Sequence, residues 1–375
     1  MLLNLILVLI VMLIREIYVR NFLSLADTRI KLGKVNIFIG PNASGKSNII
    51  KLLVFLSEVI KGDTLSAMRS LGYSSLKSLF YNFDESNNIL IEVYADEVKY
   101  TMSIDSSGTI VEESVELRGE VLAKRVSSNE VSILTSKGPS TIPIEASKSI
   151  LSIKDIDNIH ASIAQFKNVL RDIKAYSFIP KEIKGESKVG FSLELSRTGE
   201  NLATVLHSLL VYDRKRFLTI EEILKSLVPE VEEIDVPLTK DGMRTYICVR
   251  ERGLSEPLSF ANISDGTLRL LAFITALYLG GSVICFEEPE NNVHPYLFET
   301  LLDLMRKSPS QILITTHSPY LLDKAKLDEL KIVVKHREKT TVKDAHSLSS
   351  LNKIKLLLEQ GVPLGEIWYS GELVE

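Results

Sequence analysis

Val35-Asn36-Ile37-Phe38-Ile39-Gly40-Pro41-Asn42-Ala43-Ser44-Gly45-Lys46-Ser47-Asn48-Ile49-Ile50 joins an apolar run, a glycine-bounded loop and the opening of a helix. The composition of Val35–Ile39 is that of a buried strand, and the apolar spacing after Asn48 carries a helix to about Ile60. Between them, G-P-N-A-S-G-K-S has the spacing of a complete phosphate-binding loop in the strand–loop–helix setting such a loop requires. A glycine turn before a core helix is the bland reading, and the flanking elements argue against it. The backbone of Gly40, Pro41, Asn42, Ala43, Ser44 and Gly45, with the helix start at Asn48, forms an anion site from N–H groups and helix dipole. Lys46 is placed to reach β- and γ-phosphates, and the Ser47 hydroxyl to ligate Mg²⁺. The expected ligands are therefore a nucleoside triphosphate and Mg²⁺.

At 375 residues the chain can hold one large domain or two, and 45% hydrophobic with 25% charged residues is ordinary globular usage. A net charge of −4 provides no overall basic field, so nucleic-acid contact would need a local patch. Lys181–Lys188 and Arg214–Arg216 are the small basic groups, and solvated surface is the simpler reading of both. Cys248 and Cys285 lie too far apart for a metal spacing, and a reducing cytoplasm fits. Met1 to Ile14 is apolar except for Asn4, shorter than the roughly 20 residues of a spanning helix and without signal-peptide features. Residues 1–13 thus read as an apolar extension. A start at Met12 is one account of it and a membrane anchor the competing one, with membrane attachment the less favoured.

Two strands are expected between Ile14 and the phosphate loop, a mixed stretch over 61–85, a hairpin over Ile89–Ile104, and strands at 109–117, 120–126 and 130–135. Ser136–Ser149, with Gly138, Pro139 and Pro143, is expected as an exposed loop, and 150–176 as helical. Helices from Gly199 and Ile220 and β-like runs at Val231–Val236 and Thr245–Arg250 follow. Helix 267–279, strand 282–287, helix 295–307, strand 311–315 and strand 330–335 then alternate as an α/β layer.

This second half supplies the groups a phosphate loop lacks. The apolar strand Val283–Phe286 ends in Glu287-Glu288-Pro289-Glu290. Glu287 is assigned to the metal and Glu288 to the attacking water, as orienting or basic group. Two solvated acids at a strand end would be the reading in isolation. His317, in T-T-H-S-P after the next apolar strand, is placed to touch the γ-phosphate or bridge it to the water, although a lone histidine is more often structural. Ser264 before Asp265-Gly266-Thr267 is a good N-cap, and that helix start again suits a phosphate, although S-D-G-T read alone is a structural capped turn.

The order of these motifs resembles the ATP-binding-cassette (ABC) ATPases, and within them the soluble branch that includes the RecF, SMC and OLD-type ATPases. The likeness is greatest to the small ATPases of the AAA15 or AAA_21 family, and it extends from about Ile14 onward. It is carried by G-E-N-L-A at Gly199–Ala203, I-S-D-G-T-L-R-L-L-A at Ile263–Ala272, E-E-P-E-N-N-V-H-P at Glu287–Pro295, T-T-H-S-P at Thr315–Pro319 and G-E-I-W-Y-S-G at Gly365–Gly371. The resemblance implies an α/β fold: a P-loop NTPase with an ABC-type head, a mixed sheet core, an antiparallel β subdomain and a helical insertion. Residues 14–375 then form one domain, with 61–200 as the β and helical insertion region and 201–375 as the lobe bearing the signature and Walker B strand.

It further implies a head-to-tail homodimer with ATP at the interface. There Ser264, Asp265 and Gly266 of one copy meet the nucleotide on the other's phosphate loop, and the Glu290–His294 loop lies across the junction. Two departures stand out. Glu287 replaces the usual aspartate, and no glutamine precedes Gln165 to serve as the loop glutamine between lobes. No acidic constellation after Lys331 suggests a TOPRIM nuclease, so a nuclease would be a separate chain. The leading expectation is an ATP-gated switch in DNA repair or defence against foreign DNA. A nucleotide-gated regulator of a partner nuclease or toxin is the alternative, and an ABC-transporter energy subunit is disfavoured because I-S-D-G-T stands where L-S-G-G-Q would.

Overall fold

Which faces a strand can bury decides which sheet it joins. The computed structural model describes residues 12–135 and 138–373. β1 (Ile14–Phe22) and β2 (Leu25–Lys31) pair as an antiparallel hairpin, while β3 (Val35–Ile39) enters a second sheet with all its residues buried. A strand covered on both faces has no polar side to show, hence the nearly unbroken apolar run. Asn36, its polar residue, donates to the carbonyls of Gly33 and Ile312.

α1 (Lys46–Lys61) buries Ile49, Leu52, Leu53, Leu56, Val59 and Ile60, the three-and-four spacing of one helix face. α2 (Thr64–Ser70) follows, its start fixed by reciprocal Asp63–Ser66 bonds. β4 (Ile89–Ala95), β5 (Val98–Ile104), β6 (Ile110–Leu117), β7 (Glu120–Ser127), β8 (Glu130–Thr135) and β9 (Gly138–Pro143) complete an eight-stranded antiparallel sheet ordered β2-β1-β4-β5-β6-β7-β8-β9. The loop expected over 136–149 is therefore corrected, since residues 138–143 pair with β8. Pro139 and Pro143 are compatible because β9 is the sheet edge, where no outward N–H is needed.

α3 (Ala161–Arg171) ends the helical stretch expected to reach residue 176. Ile173–Tyr176 is instead β10, parallel to Val283–Phe286, because pairing along a buried strand outweighs a short helical periodicity. α4 (Pro180–Ile183) and β11 (Ser187–Lys188) lead to α5 (Leu202–Tyr212) and α6 (Arg214–Leu227). Short strands β12 (Val231–Asp235), β13 (Arg244–Thr245), β14 (Cys248–Glu251) and β15 (Leu258–Ser259) form two small sheets with β11.

α7 (Asp265–Leu279), β16 (Val283–Glu287), α8 (Phe298–Lys307), β17 (Gln311–Thr316) and β18 (Leu330–His336) follow in the expected order, with a short helix α9 (Pro319–Leu322) that was not expected between β17 and β18. β19 (Lys339–Asp344) turns back on β18, and α10 (Leu351–Glu359) and α11 (Leu364–Tyr369) follow. The second sheet has the order β10-β16-β17-β3-β18-β19, parallel except for β18–β19. It separates two cores. Val283 and Cys285 face the core that contains α1, α3 and the eight-stranded sheet, whereas Ile284 and Phe286 face α5 to α8. Among the described residues no helix is long and apolar enough to cross a membrane, and the apolar stretch at residues 1–11 lies outside them.

Candidate active site at the phosphate loop

Ala43 (φ 59°) and Gly45 (φ 105°) wind the loop through left-handed conformations, so its N–H groups turn toward one space. A Cβ on Gly45 would lie 2.0 Å from Thr340 Oγ1, so glycine is needed there for room as well as for backbone angle. Lys46 folds back to donate to the carbonyls of Gly40 (2.8 Å) and Pro41 (3.0 Å) and is only 5% exposed. Burial pulls its ammonium down to about 8, with Glu288 and Glu290 pulling weakly upward. Ser44 Oγ is buried without a hydrogen-bond partner. Ser47, Pro41, Asn42 and Ala43 are exposed. A poorly solvated cation, an orphaned buried hydroxyl and an open helix start fit a phosphate group.

The cleft beside the loop, about 280 Å³, is walled by Lys46 and Ser47 on one side and Glu288, Thr315 and His317 on the other. β17 lies between β3 and β16, so Thr315 and His317 stand next to the loop and the acids one strand farther away. Glu288 has left-handed backbone (φ 47°), held by its N–H on the Thr315 carbonyl at 2.9 Å and by Arg269 Nη1 on its own carbonyl at 3.3 Å. One carboxylate oxygen is 3.4 Å from His317 Nε2, and the other accepts from Asn291 Nδ2 at 2.7 Å. Burial and nearby Lys46 lower the His317 pKa below its ordinary 6.5, so at neutral pH it meets Glu288 uncharged.

Glu290 is almost fully buried, and burial raises its pKa. Its Oε1 accepts from the Thr316 hydroxyl and from the His317 N–H at 3.3 Å, while Oε2 has no partner. It therefore ties the turn after β16 to the turn after β17. Nothing in the sequence separated it from the other acids of E-E-P-E.

Glu287 is placed differently from Glu288. It does not line the cleft, and its Oε1 accepts from Arg197 Nη2 at 2.5 Å. No group of three or more His, Cys, Asp and Glu suited to a metal occurs among the described residues. A Mg²⁺ ion usually takes one or two carboxylates plus the phosphates of its nucleotide, and Ser47 with Glu287 or Glu288 fits that pattern.

Ser264, Asp265 and Gly266 lie outside this cleft, at the start of α7. Ser264 is exposed, and its Oγ accepts from the Thr267 N–H at 3.0 Å. Asp265 pairs with Lys184 at 2.7 Å. A Cβ on Gly266 would approach the Asn292 carbonyl to 2.5 Å, so glycine lets the loop after the acids close on this helix.

Sequence reading missed Ser24, Thr340 and Lys335. Thr340 Oγ1 bonds the Ser44 carbonyl (2.8 Å) and Ser24 Oγ (2.7 Å), and Asn48 Nδ2 donates to Ser24 Oγ at 2.7 Å. The β18–β19 hairpin thus braces the phosphate loop from behind. Lys335 of β18 lines the same cleft and pairs with Glu338 at 2.9 Å.

The fold is the α/β P-loop fold of ABC-type ATPase heads, shared with SMC head domains. The chain belongs to the AAA_21 family, described as "AAA domain, putative AbiEii toxin, Type IV TA system", whose profile matches residues 35–323. It is 24% identical to an OLD nuclease of Thermus scotoductus, over 88% of this chain and 63% of that protein. It therefore spans less than two thirds of that relative. Among solved structures it resembles an SMC head bound to the C-winged helix domain of ScpA, with TM-score 0.57, 16% identity and coverage of 88% of this chain and 97% of that one. An SMC head with an extended coiled coil, bound to the C-terminal domain of ScpA from Pyrococcus furiosus, gives TM-score 0.53 at 16% identity, covering 93% and 100%. These likenesses carry the fold.

Proposed function

We propose that the protein hydrolyses ATP with Mg²⁺ and that two copies close head to tail on the nucleotide. The observation that carries this is the separation of Ser264 from the cleft of its own chain. On this reading the phosphate loop, Glu288 and His317 are one half of a site, and the exposed, N-capped start of α7, outside that cleft, is the other half. In a closed pair, Lys46 and the loop amides would hold the phosphates, and Ser47 with Glu287 would hold the ion. The ion would offset phosphate charge during transfer. Glu288 orients or deprotonates the attacking water, neutral His317 donates toward the γ-phosphate, and the partner's α7 start supplies further N–H groups.

Glu288→Gln should bind Mg-ATP without turnover and accumulate the closed state. Light scattering is expected to give a doubled mass with Mg-ATP and a single mass without it. A single mass at saturating nucleotide would refute the dimer, and phosphate release by the Gln variant at the parent rate would refute the role of Glu288.

A switch of this kind fits work on DNA ends or foreign DNA, or control of a partner nuclease or toxin. The OLD-nuclease relative and the toxin–antitoxin wording of the family favour the second.

A further inference from the structure

Glu287 leaves β16 on the α1 side of the sheet. Val283 and Cys285 belong to the core around α1, Ile284 and Phe286 to the opposite one, and alternation places Glu287 with the first pair. That is the side on which α1 begins with Lys46 and Ser47. Arg197, whose Nη2 holds Glu287 Oε1, comes from the segment between β10 and α5 and is firmly seated. The Arg197 carbonyl accepts from the Ser177 N–H at 2.8 Å, and the Thr198 carbonyl from the Ile179 N–H at 3.0 Å. Asn201 Oδ1 fixes the same turn through the Ser196 N–H at 2.8 Å. Backbone bonds thus lock this segment to the chain leaving β10, the neighbour of β16, while the arginine side chain stays 41% exposed.

A guanidinium on this carboxylate removes the charge that Glu287 would offer a divalent cation. Lys46, on the other wall of the cleft, is bonded to the Gly40 and Pro41 carbonyls and acts on Glu288 only through space. The chain alone therefore presents little net negative charge to a metal, and the missing charge arrives with a triphosphate.

We propose that Arg197 is a positioning residue that competes with the divalent cation for Glu287, so that metal is retained only together with nucleotide. This rests on the ATPase reading above and adds to it an internal counter-cation. When Mg-ATP binds, Glu287 exchanges the guanidinium for the ion or one of its waters. The Arg197 side chain then leaves Glu287, while its backbone stays bonded to the chain leaving β10.

The test uses the full chain, a fluorescent ATP analogue titrated with Mg²⁺, and Mn²⁺ binding followed by paramagnetic resonance. Arg197→Gln should lower the Mg²⁺ concentration for half-maximal nucleotide binding by about tenfold, equivalent to about 1.4 kcal/mol, and should show Mn²⁺ binding without nucleotide that the parent lacks. Arg197→Lys keeps the charge and should stay within about twofold of the parent. Arg197→Gln/Glu287→Gln should match Glu287→Gln alone, because the pair acts through one carboxylate. Thermal unfolding identifies folded variants, and Arg197→Met replaces the Gln variant should the latter not fold. An unchanged or increased Mg²⁺ requirement in Arg197→Gln overturns the inference, as does a Glu287→Gln variant with the parent's requirement. Failure of the parent to bind nucleotide at any Mg²⁺ level overturns the ATPase reading instead.

Discussion

Lys46 holds its charge where water scarcely reaches it, and that makes nucleotide affinity sensitive to alkaline pH. Its pKa, pulled down to about 8 by burial, lies below the ordinary value of 10.5. The free folded chain therefore binds fewer protons than the unfolded chain across that window, and the contribution of Lys46 to stability rises as pH climbs through it. Phosphate binding works in the opposite direction because it needs the ammonium. Affinity for ATP should be level up to about pH 8 and then fall by about tenfold per pH unit. Titrating a fluorescent ATP analogue between about pH 7 and pH 9.5 checks this, and Lys46→Met should bind weakly with a flat profile. A parent profile as flat as that of the variant would rule out the lysine as the titrating group. At this scale the local pattern singled out Gly40–Ser47, Glu288 and His317 as candidates, since neighbours in sequence define those motifs, and Lys46, Ser47, Glu288 and His317 line one cleft. Arg197, 90 residues from Glu287, and Thr340, 296 residues from Ser44, carry no local mark, because their roles arise from contacts the chain makes only when folded.

At the scale of elements, the β18–β19 hairpin keeps the loop in shape. Thr340 joins Ser44, Ser24 and, through Ser24, Asn48, and a further bond runs from the Thr340 N–H to the Ser24 carbonyl at 2.9 Å. Thr340→Val preserves volume and removes the hydroxyl, leaving the Ser44 carbonyl without that donor. A loss of about 1–2 kcal/mol is expected, measured by chemical denaturation, together with several-fold weaker nucleotide binding. Stability lost with affinity unchanged would mean the hairpin supports the fold without shaping the loop. Gly45→Ala should cost more, about 1–3 kcal/mol, because it combines left-handed backbone with the approach of Thr340. Unlike α9, β19, α10 and α11, which were not read, the elements α7, β16, α8, β17 and β18 were legible in the sequence because apolar strands and helical spacing follow one another there. β10 and β9 were not, since one is short and next to a helix and the other holds two prolines tolerated only at an edge.

At the scale of the whole molecule, the proposed pair makes a prediction that a self-contained site does not. Each closed site takes Lys46 from one copy and Ser264 from the other. Lys46→Ala destroys the loop half of a chain and leaves its α7 start intact, while Ser264→Arg does the reverse. Either variant alone has both sites broken, by loss of phosphate binding in one case and by a bulky cation at the junction in the other. Mixed together, the two variants form heterodimers in which one site combines the intact loop of the Ser264→Arg chain with the intact α7 start of the Lys46→Ala chain. Phosphate release should therefore reappear on mixing, at up to about half the parent rate per dimer if the sites act independently. It should vanish again when Glu288→Gln is added to the Ser264→Arg chain, because that chain supplies the hydrolytic carboxylate. The same substitution in the Lys46→Ala chain should have no effect. Full activity in Ser264→Arg alone, or no recovery on mixing two folded variants, would place the whole reaction within one copy.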